Sequence, residues 1–256
     1  MGRARFRTAV FAVAAGAGVF FASVDASADL RLHGASTLIK LVVEPGRPRI
    51  EQAVGQPLAI VTNGSGNGLK DLMAGRADVA MIAAPLEVEA VILNTIEPNS
   101  FDTAGLKVFP VGTTKLQVFV HPGNPIAKLA EDQIRDILTG TFTNWSQAGG
   151  ADVPIVVVIE RPLNGTRAFL QTGFLKGAEF APHARIAQAL GQVVQIVSQV
   201  PTAIGYGNSA SIDPDRVKVM PGIALAQPMA LVTRGQPDAV QAKLIAAVSE
   251  AAVASR

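Results

Sequence analysis

Apolar and polar positions along the chain follow two periodicities, one typical of short strands and one typical of longer helices. Six short apolar runs predict strands at 30–33, 58–62, 79–82, 106–111, 116–121 and 155–159. Five stretches with helical spacing predict helices near 38–54, 67–74, 131–138, 166–175 and 238–254. Strands that alternate with helices in this way are typical of an α/β fold with mostly parallel sheets.

The first 28 residues have the pattern of a secretory signal peptide. Three arginines precede an apolar run over 9–22, and Ala26-Ser27-Ala28 supplies the small residues of a cleavage site. The apolar run is shorter than the roughly 20 residues that span a bilayer, so it predicts export rather than a membrane anchor. The sequence has no cysteine, which excludes disulfides, thiolate metal sites and a lipid-bearing cysteine. We therefore expect a soluble, exported protein.

Removal of residues 1–28 changes the charge of the chain. The full sequence has 22 basic and 20 acidic residues, and the signal segment holds three arginines and one aspartate. The remaining 228 residues carry 19 charges of each sign, which gives no electrostatic footprint for nucleic acid or a membrane surface. That length suits one large or two small domains.

Three turns of small polar residues follow predicted strands and precede predicted helices. They are Gly34-Ala35-Ser36-Thr37, Asn63-Gly64-Ser65-Gly66-Asn67-Gly68 and Leu163-Asn164-Gly165-Thr166. In α/β sheets ligands bind beyond the carboxyl ends of strands, and free N–H groups at a helix start suit an anion. Taken alone, each Ser or Thr is as well explained as a helix cap. Three such turns together predict one shared oxyanion site.

The order of motifs resembles that of a known family. Residues 129–140, Thr143-Asn144-Trp145 and Asn164-Gly165-Thr166-Arg167 are similar, in sequence and spacing, to the phosphate-binding proteins of bacterial phosphate ABC importers. The resemblance extends from Gly34 to Tyr206. It implies the type II periplasmic-binding fold, in which two α/β lobes of mostly parallel sheets flanked by helices close on a ligand cleft.

The resemblance also implies a domain organisation and a function. Residues 1–28 are expected to be the signal peptide, 29–116 plus 223–256 the discontinuous first lobe, and 117–222 the second lobe. Two sequential domains divided at Gly112 are the alternative. The implied protein is a periplasmic monomer that captures phosphate or a similar oxyanion and delivers it to an ABC permease of the inner membrane. It is expected to have no enzymatic activity, cofactor, metal or nucleic-acid partner.

Carried over position by position, the family's binding residues fall on eight residues of this chain. They are Thr37, Leu38, Ser65, Arg161, Asn164, Gly165, Thr166 and Arg167. Leu38 is expected to act through its backbone N–H, and the threonines and Ser65 through hydroxyls. Arg161 and Arg167 are alternative candidates for the cation that forms a bidentate clamp on the oxyanion.

Two departures from the family pattern affect the expected ligand. Ala83 stands where the family has the aspartate that accepts the proton of phosphate, and Arg161 is one residue too close to Gly165. Glu160 occupies the ungapped position of the family arginine. It is a candidate replacement acceptor if it faces inward, although a surface salt bridge is the first expectation. Trp145 is expected to be a core residue.

Rival functions remain open at the level of the sequence. The three histidines lie in no activating motif, and the chain lacks His-Glu metal, Gly-Lys-Ser/Thr phosphate and dinucleotide motifs. The same fold with another anion, such as sulfate or arsenate, is the first alternative, because Ala83 removes a discriminating acceptor. A sensory or scaffold module and an exported hydrolase are the others.

Overall fold

The computed structural model describes residues 29–162 and 164–254, so the predicted signal peptide and Leu163 lie outside the described residues. The strands are β1 Leu30–Gly34, β2 Leu58–Thr62, β3 Val79–Ile82, β4 Leu106–Val120, β5 Val156–Glu160, β6 Arg185–Ala187, β7 Ala203–Asn208 and β8 Lys218–Arg234. The α-helices are α1 Ser36–Leu38, α2 Glu44–Val54, α3 Ser65–Met73, α4 Leu86–Ile96, α5 Glu131–Thr139, α6 Gly165–Phe169, α7 Leu190–Gln199 and α8 Ala239–Ala254. Two π-helical segments, Ile39–Val43 and Leu170–Phe174, and the 3-10 turn Trp145–Ala148 complete the helices of this region.

The strands form one continuous sheet with the order β2-β1-β3-β8-β4-β7-β5-β6. Parallel pairs lie towards its two ends, where β1 joins β2 and β3, and β5 joins β6 and β7. In the centre β8 is antiparallel to both β3 and β4, and β4 is antiparallel to β7. The two long strands β4 and β8 therefore connect one parallel end of the sheet to the other.

Two features of the sheet differ from the predicted elements. The runs at 106–111 and 116–121 belong to the single strand β4, which stays paired with β8 through register shifts at Pro110/Gly112 and Leu116/Val118. Residues 112–115 therefore look like a strand boundary in the sequence but stay paired with β8 in the structure. The pattern also missed α4, α7, β6, β7 and β8. Helix α4 has apolar residues on most faces, which hides its period.

Separate apolar cores pack against the two ends of the sheet. At the β1 end, Leu32, Val79 and Leu244 belong to a core between the sheet and helices α2 and α8. At the β5 end, Trp145 and Tyr206 belong to another core. Trp145 is a core residue as predicted, since it is 2% exposed and its indole N–H donates to the Thr202 carbonyl at 2.9 Å.

The backbone at the end of β1 depends on a glycine. Gly34 has φ of +138°, a conformation that side chains rarely adopt, and a Cβ there would lie 2.1 Å from the Met81 carbonyl oxygen. This close approach of β1 to β3 directs the following turn, Ala35 to Thr37, over the edge of the sheet. Across residues 29–162 and 164–254, none of the helices combines the length and apolar character needed to cross a bilayer.

Candidate functional site

The three polar turns predicted to share a ligand lie around one small cavity. It is lined by Ala35, Ser36, Thr37, Gly64, Ser65, Ala83, Glu160, Asn164, Gly165 and Thr166. One wall comes from the ends of β1, β2 and β3, and the opposite wall from the end of β5 and the start of α6. The cavity volume is about 10 Å³, which is room for about one water molecule. An oxyanion with four oxygens requires the two walls to separate.

Three buried hydroxyls face this cavity, and each one already accepts a hydrogen bond. The acceptors are the oxygens of Thr37, Ser65 and Thr166. Their respective donors are Asn208 Nδ2 at 2.6 Å, the Ala83 backbone N–H at 3.1 Å and Gln227 Nε2 at 2.8 Å. An N–H group only donates, so each hydroxyl must direct its own proton elsewhere. The arrangement therefore leaves three O–H protons, which is the chemistry that an oxyanion requires, and the proton of Ser65 is also within reach of the Glu89 carboxyl.

A buried amide pair holds two of these hydroxyls in place. Gln227 Nε2 donates to the Ala83 carbonyl at 2.7 Å as well as to Thr166. Because a carbonyl only accepts, this contact fixes the Gln227 amide, whose oxygen then accepts from Asn208 Nδ2 at 3.4 Å. Asn208 in turn donates to Thr37. The network thus joins the β1 wall to the α6 wall.

The sequence reasoning missed both members of this amide pair. Asn208 ends the apolar strand β7, and Gln227 lies within β8, where its neighbours on the buried face are apolar. Both side chains are fully buried. An amide inside an apolar strand is the signal that marks them, because burial of an amide costs stability unless it is hydrogen-bonded.

Glu160 lines the cavity rather than the protein surface, so the expected surface salt bridge is wrong. Its side chain is 3% exposed, Oε1 accepts from Asn164 Nδ2 at 3.0 Å, and Oε2 has no hydrogen-bond partner. Burial raises the pKa of Glu160 to about 8, and the Leu190 N–H together with Arg161 and Arg167 offset part of the rise. At neutral pH this side chain is therefore largely a neutral acid.

A second buried carboxyl, Glu89 on α4, stands behind the cavity wall. It is fully buried and neither of its oxygens has a hydrogen-bond partner. Burial raises its pKa to about 8, and the nearby Ser65 hydroxyl offsets part of the rise. A Cβ placed on Gly165 would lie 2.3 Å from Glu89 Oε1 and 2.5 Å from Ser65 Oγ. A side chain at position 165 would therefore displace the Glu89 and Ser65 side chains.

Three of the eight predicted residues do not line the cavity. Leu38 is buried in the core at the β1 end. Arg161 donates to the Gln188 carbonyl at 3.2 Å and to the Asn63 carbonyl at 3.5 Å. Arg167 donates to the Glu160 carbonyl at 2.9 Å, and its guanidinium lies 5.3 Å from the centre of the Phe180 ring.

The structure therefore brings together Thr37, Ser65, Asn164, Gly165 and Thr166 from the predicted set. The described lining residues include one carboxyl, Glu160, and no cation. The site combines hydroxyl donors with a titratable group that donates when protonated and accepts when ionised. This combination suits a small oxyanion that shares a proton with the protein.

Comparison with known proteins places the chain among binding proteins. The family described as a PBP superfamily domain matches residues 22–253. The phosphate-binding protein PstS of Bacillus subtilis (strain 168) is 26% identical over 196 residues, which is 76% of this chain and 62% of that protein. The chain thus spans less than two thirds of the length of this curated relative.

Two solved structures are similar over most of their length. A structure from Clostridium perfringens with bound phosphate has a TM-score of 0.73 at 25% identity, over 86% of this chain and 92% of that one. An ABC-type phosphate transport receptor from Vibrio cholerae has a TM-score of 0.65 at 22% identity, over 86% and 93% of the two chains. These similarities confirm the α/β fold class predicted from the sequence.

Proposed function

This chain belongs to the PBP superfamily, and from that premise we propose that it captures phosphate or a similar oxyanion in the periplasm and delivers it to an ABC importer. The observation that carries the proposal is the set of three buried hydroxyls that each accept a hydrogen bond from an N–H donor. Each hydroxyl is left with a proton to donate, and donors alone satisfy the oxygens of an oxyanion. The names of PstS and of the Vibrio cholerae receptor support phosphate as the ligand.

We propose the two-lobed organisation with the boundaries that the resemblance implies. Residues 29–116 and 223–256 form the first lobe, and residues 117–222 form the second. The separate apolar cores at the two ends of the sheet support two lobes, and the boundary residues Leu116 and Ile223 pack in the core at the β5 end. The cavity lies between the proposed lobes, so a hinge motion that separates them makes room for an oxyanion.

The ligand contacts in this proposal are those of the cavity wall. Thr37, Ser65 and Thr166 donate through hydroxyls, and Asn164 and Gly165 contribute from the start of α6. Arg161 and Arg167 act from behind Glu160, where their positive charge favours an anion in the cavity without touching it. The protein acts as a monomeric receptor without catalysis, and absence of turnover on phosphate esters by the pure protein tests that part.

Calorimetric titration with inorganic phosphate tests the proposed function. Thr166→Ala and Ser65→Ala each remove a hydrogen bond to a charged group, worth about 1.5–3 kcal/mol, so each is expected to weaken phosphate binding roughly tenfold or more. Ser100→Ala, at an exposed position, is the matched control and should bind like the wild type. Unchanged affinity in both site variants would show that the ligand lies elsewhere.

A further inference from the structure

Among the described residues that line the cavity, Glu160 is the one with a buried acceptor atom that has no hydrogen-bond partner. One oxygen, Oε1, accepts from Asn164, while Oε2 is buried and without a partner. The hydroxyls of Thr37, Ser65 and Thr166 each accept from an N–H donor and keep a proton that a ligand oxygen can accept. A buried carboxyl oxygen without a partner is costly, so its retention at the cavity wall indicates that a ligand or a proton completes it.

We propose that Glu160 is a specificity-determining residue that makes oxyanion capture depend on one proton shared between its carboxyl group and the bound anion. This inference rests on the proposed function and names the protonation state of the ligand. A protonated oxyanion donates to the ionised carboxylate, so it binds whether or not Glu160 is ionised. An oxyanion without a proton binds only when Glu160 itself carries the proton.

The reason is the balance of donors and acceptors around side chains that are themselves buried. An ionised Glu160 and a fully deprotonated anion face each other as two acceptors of like charge, with no proton between them. In a buried site this repulsion is screened very little by solvent. Hydrogen phosphate retains a proton up to strongly alkaline pH, whereas sulfate has none near neutrality. Phosphate therefore tests the site with a proton on the ligand, and sulfate tests it without one.

On its own wall of the cavity, Glu160 is the described lining residue whose carboxyl gains or loses a proton between pH 7 and pH 9. Arg161, just after β5, and Arg167 on α6 place positive charge near the carboxyl, and from α7 the Leu190 N–H faces it. On β7, the Tyr206 hydroxyl accepts from the Glu160 backbone N–H at 3.2 Å, and burial together with the Glu160 charge raises its pKa well above 10. Across the cavity, Glu89 on α4 also titrates near pH 8. The variant Glu89→Gln therefore serves to distinguish titration of Glu89 from titration of Glu160.

Calorimetric titration with sulfate and with phosphate at pH 7 and pH 9 tests the inference. For a carboxyl with a pKa of about 8 in the free protein, sulfate affinity of the wild type is expected to fall about tenfold between these pH values. Phosphate affinity should not show this fall, so selectivity for phosphate grows with pH. Glu160→Gln keeps one donor and one acceptor at every pH and is expected to bind sulfate equally at both. Glu131→Gln, at an exposed position on α5, is the matched control for the lost charge.

The possible outcomes distinguish failure of phosphate capture from failure of the role assigned to Glu160. Failure of the wild type to bind phosphate at pH 7 would overturn the proposed function and this inference with it. Phosphate binding together with sulfate affinity that is absent or equal at both pH values would overturn the inference alone, and this needs no variant. Sulfate affinity that stays pH-dependent in Glu160→Gln but not in Glu89→Gln would move the role to Glu89. Circular dichroism of each variant verifies that it is folded.

Discussion

Substitution of Glu89 by glutamine should change how the stability of the protein depends on pH. The carboxyl is fully buried, neither oxygen has a partner, and its pKa rises from 4.5 to about 8 on folding. Between these values the folded state holds one more proton than the unfolded state, so this group makes stability fall as pH rises. Each pH unit between these two pKa values lowers the free energy of unfolding by about 1.36 kcal/mol. By pH 9 the wild type has therefore lost at most about 5 kcal/mol of stability through this group.

The glutamine variant is neutral at every pH and retains the shape of the protonated side chain. At pH 5 the two proteins are therefore expected to have similar free energies of unfolding. From pH 5 to pH 9 the variant should become progressively more stable than the wild type, by an amount up to that ceiling. The contribution of Glu160 is present in both proteins and cancels from the difference.

Denaturant unfolding at pH 5, 7 and 9, monitored by circular dichroism, measures the difference. Glu87→Gln is the control, because it removes the same charge from an exposed position two residues earlier on α4. This control is expected to follow the wild type at all three pH values. A stability difference between Glu89→Gln and the wild type that stays constant from pH 5 to pH 9 would refute the argument that burial keeps Glu89 protonated.

Three further substitutions test the cavity and its support. Gly165→Ala places a Cβ 2.3 Å from Glu89 Oε1 and 2.5 Å from Ser65 Oγ, so these two side chains must shift and calorimetry should find phosphate binding weakened at least as much as by Thr166→Ala. Gln227→Leu removes a buried donor pair and is expected to cost about 1–3 kcal/mol in denaturant unfolding and to weaken phosphate binding. Trp145→Phe loses one indole hydrogen bond, about 1 kcal/mol, and should leave phosphate affinity unchanged because the residue lies outside the cavity.

The fold class and the position of the site could be predicted from the sequence because both depend on local patterns. Strands such as β1 and β2 are short apolar runs, and the turns that follow them contain glycines and hydroxyl residues that the backbone requires there. The sequence also showed that Ala83 leaves the site without a side-chain acceptor at that position. It offered Glu160 as a candidate replacement acceptor but favoured a surface salt bridge for that residue.

The carboxyls and amides of the site were decided by the tertiary structure alone. Glu160 ends β5, and alternation along the strand leaves open which face is buried until β6 and β7 are placed beside it. Glu89 lies on a helix whose apolar residues hide its period, and it becomes significant only because α6 packs against it. Asn208 donates to Thr37 across 171 positions of the chain. Periodicity and turn chemistry act over a few residues, whereas burial and hydrogen bonding of these side chains depend on which distant elements meet.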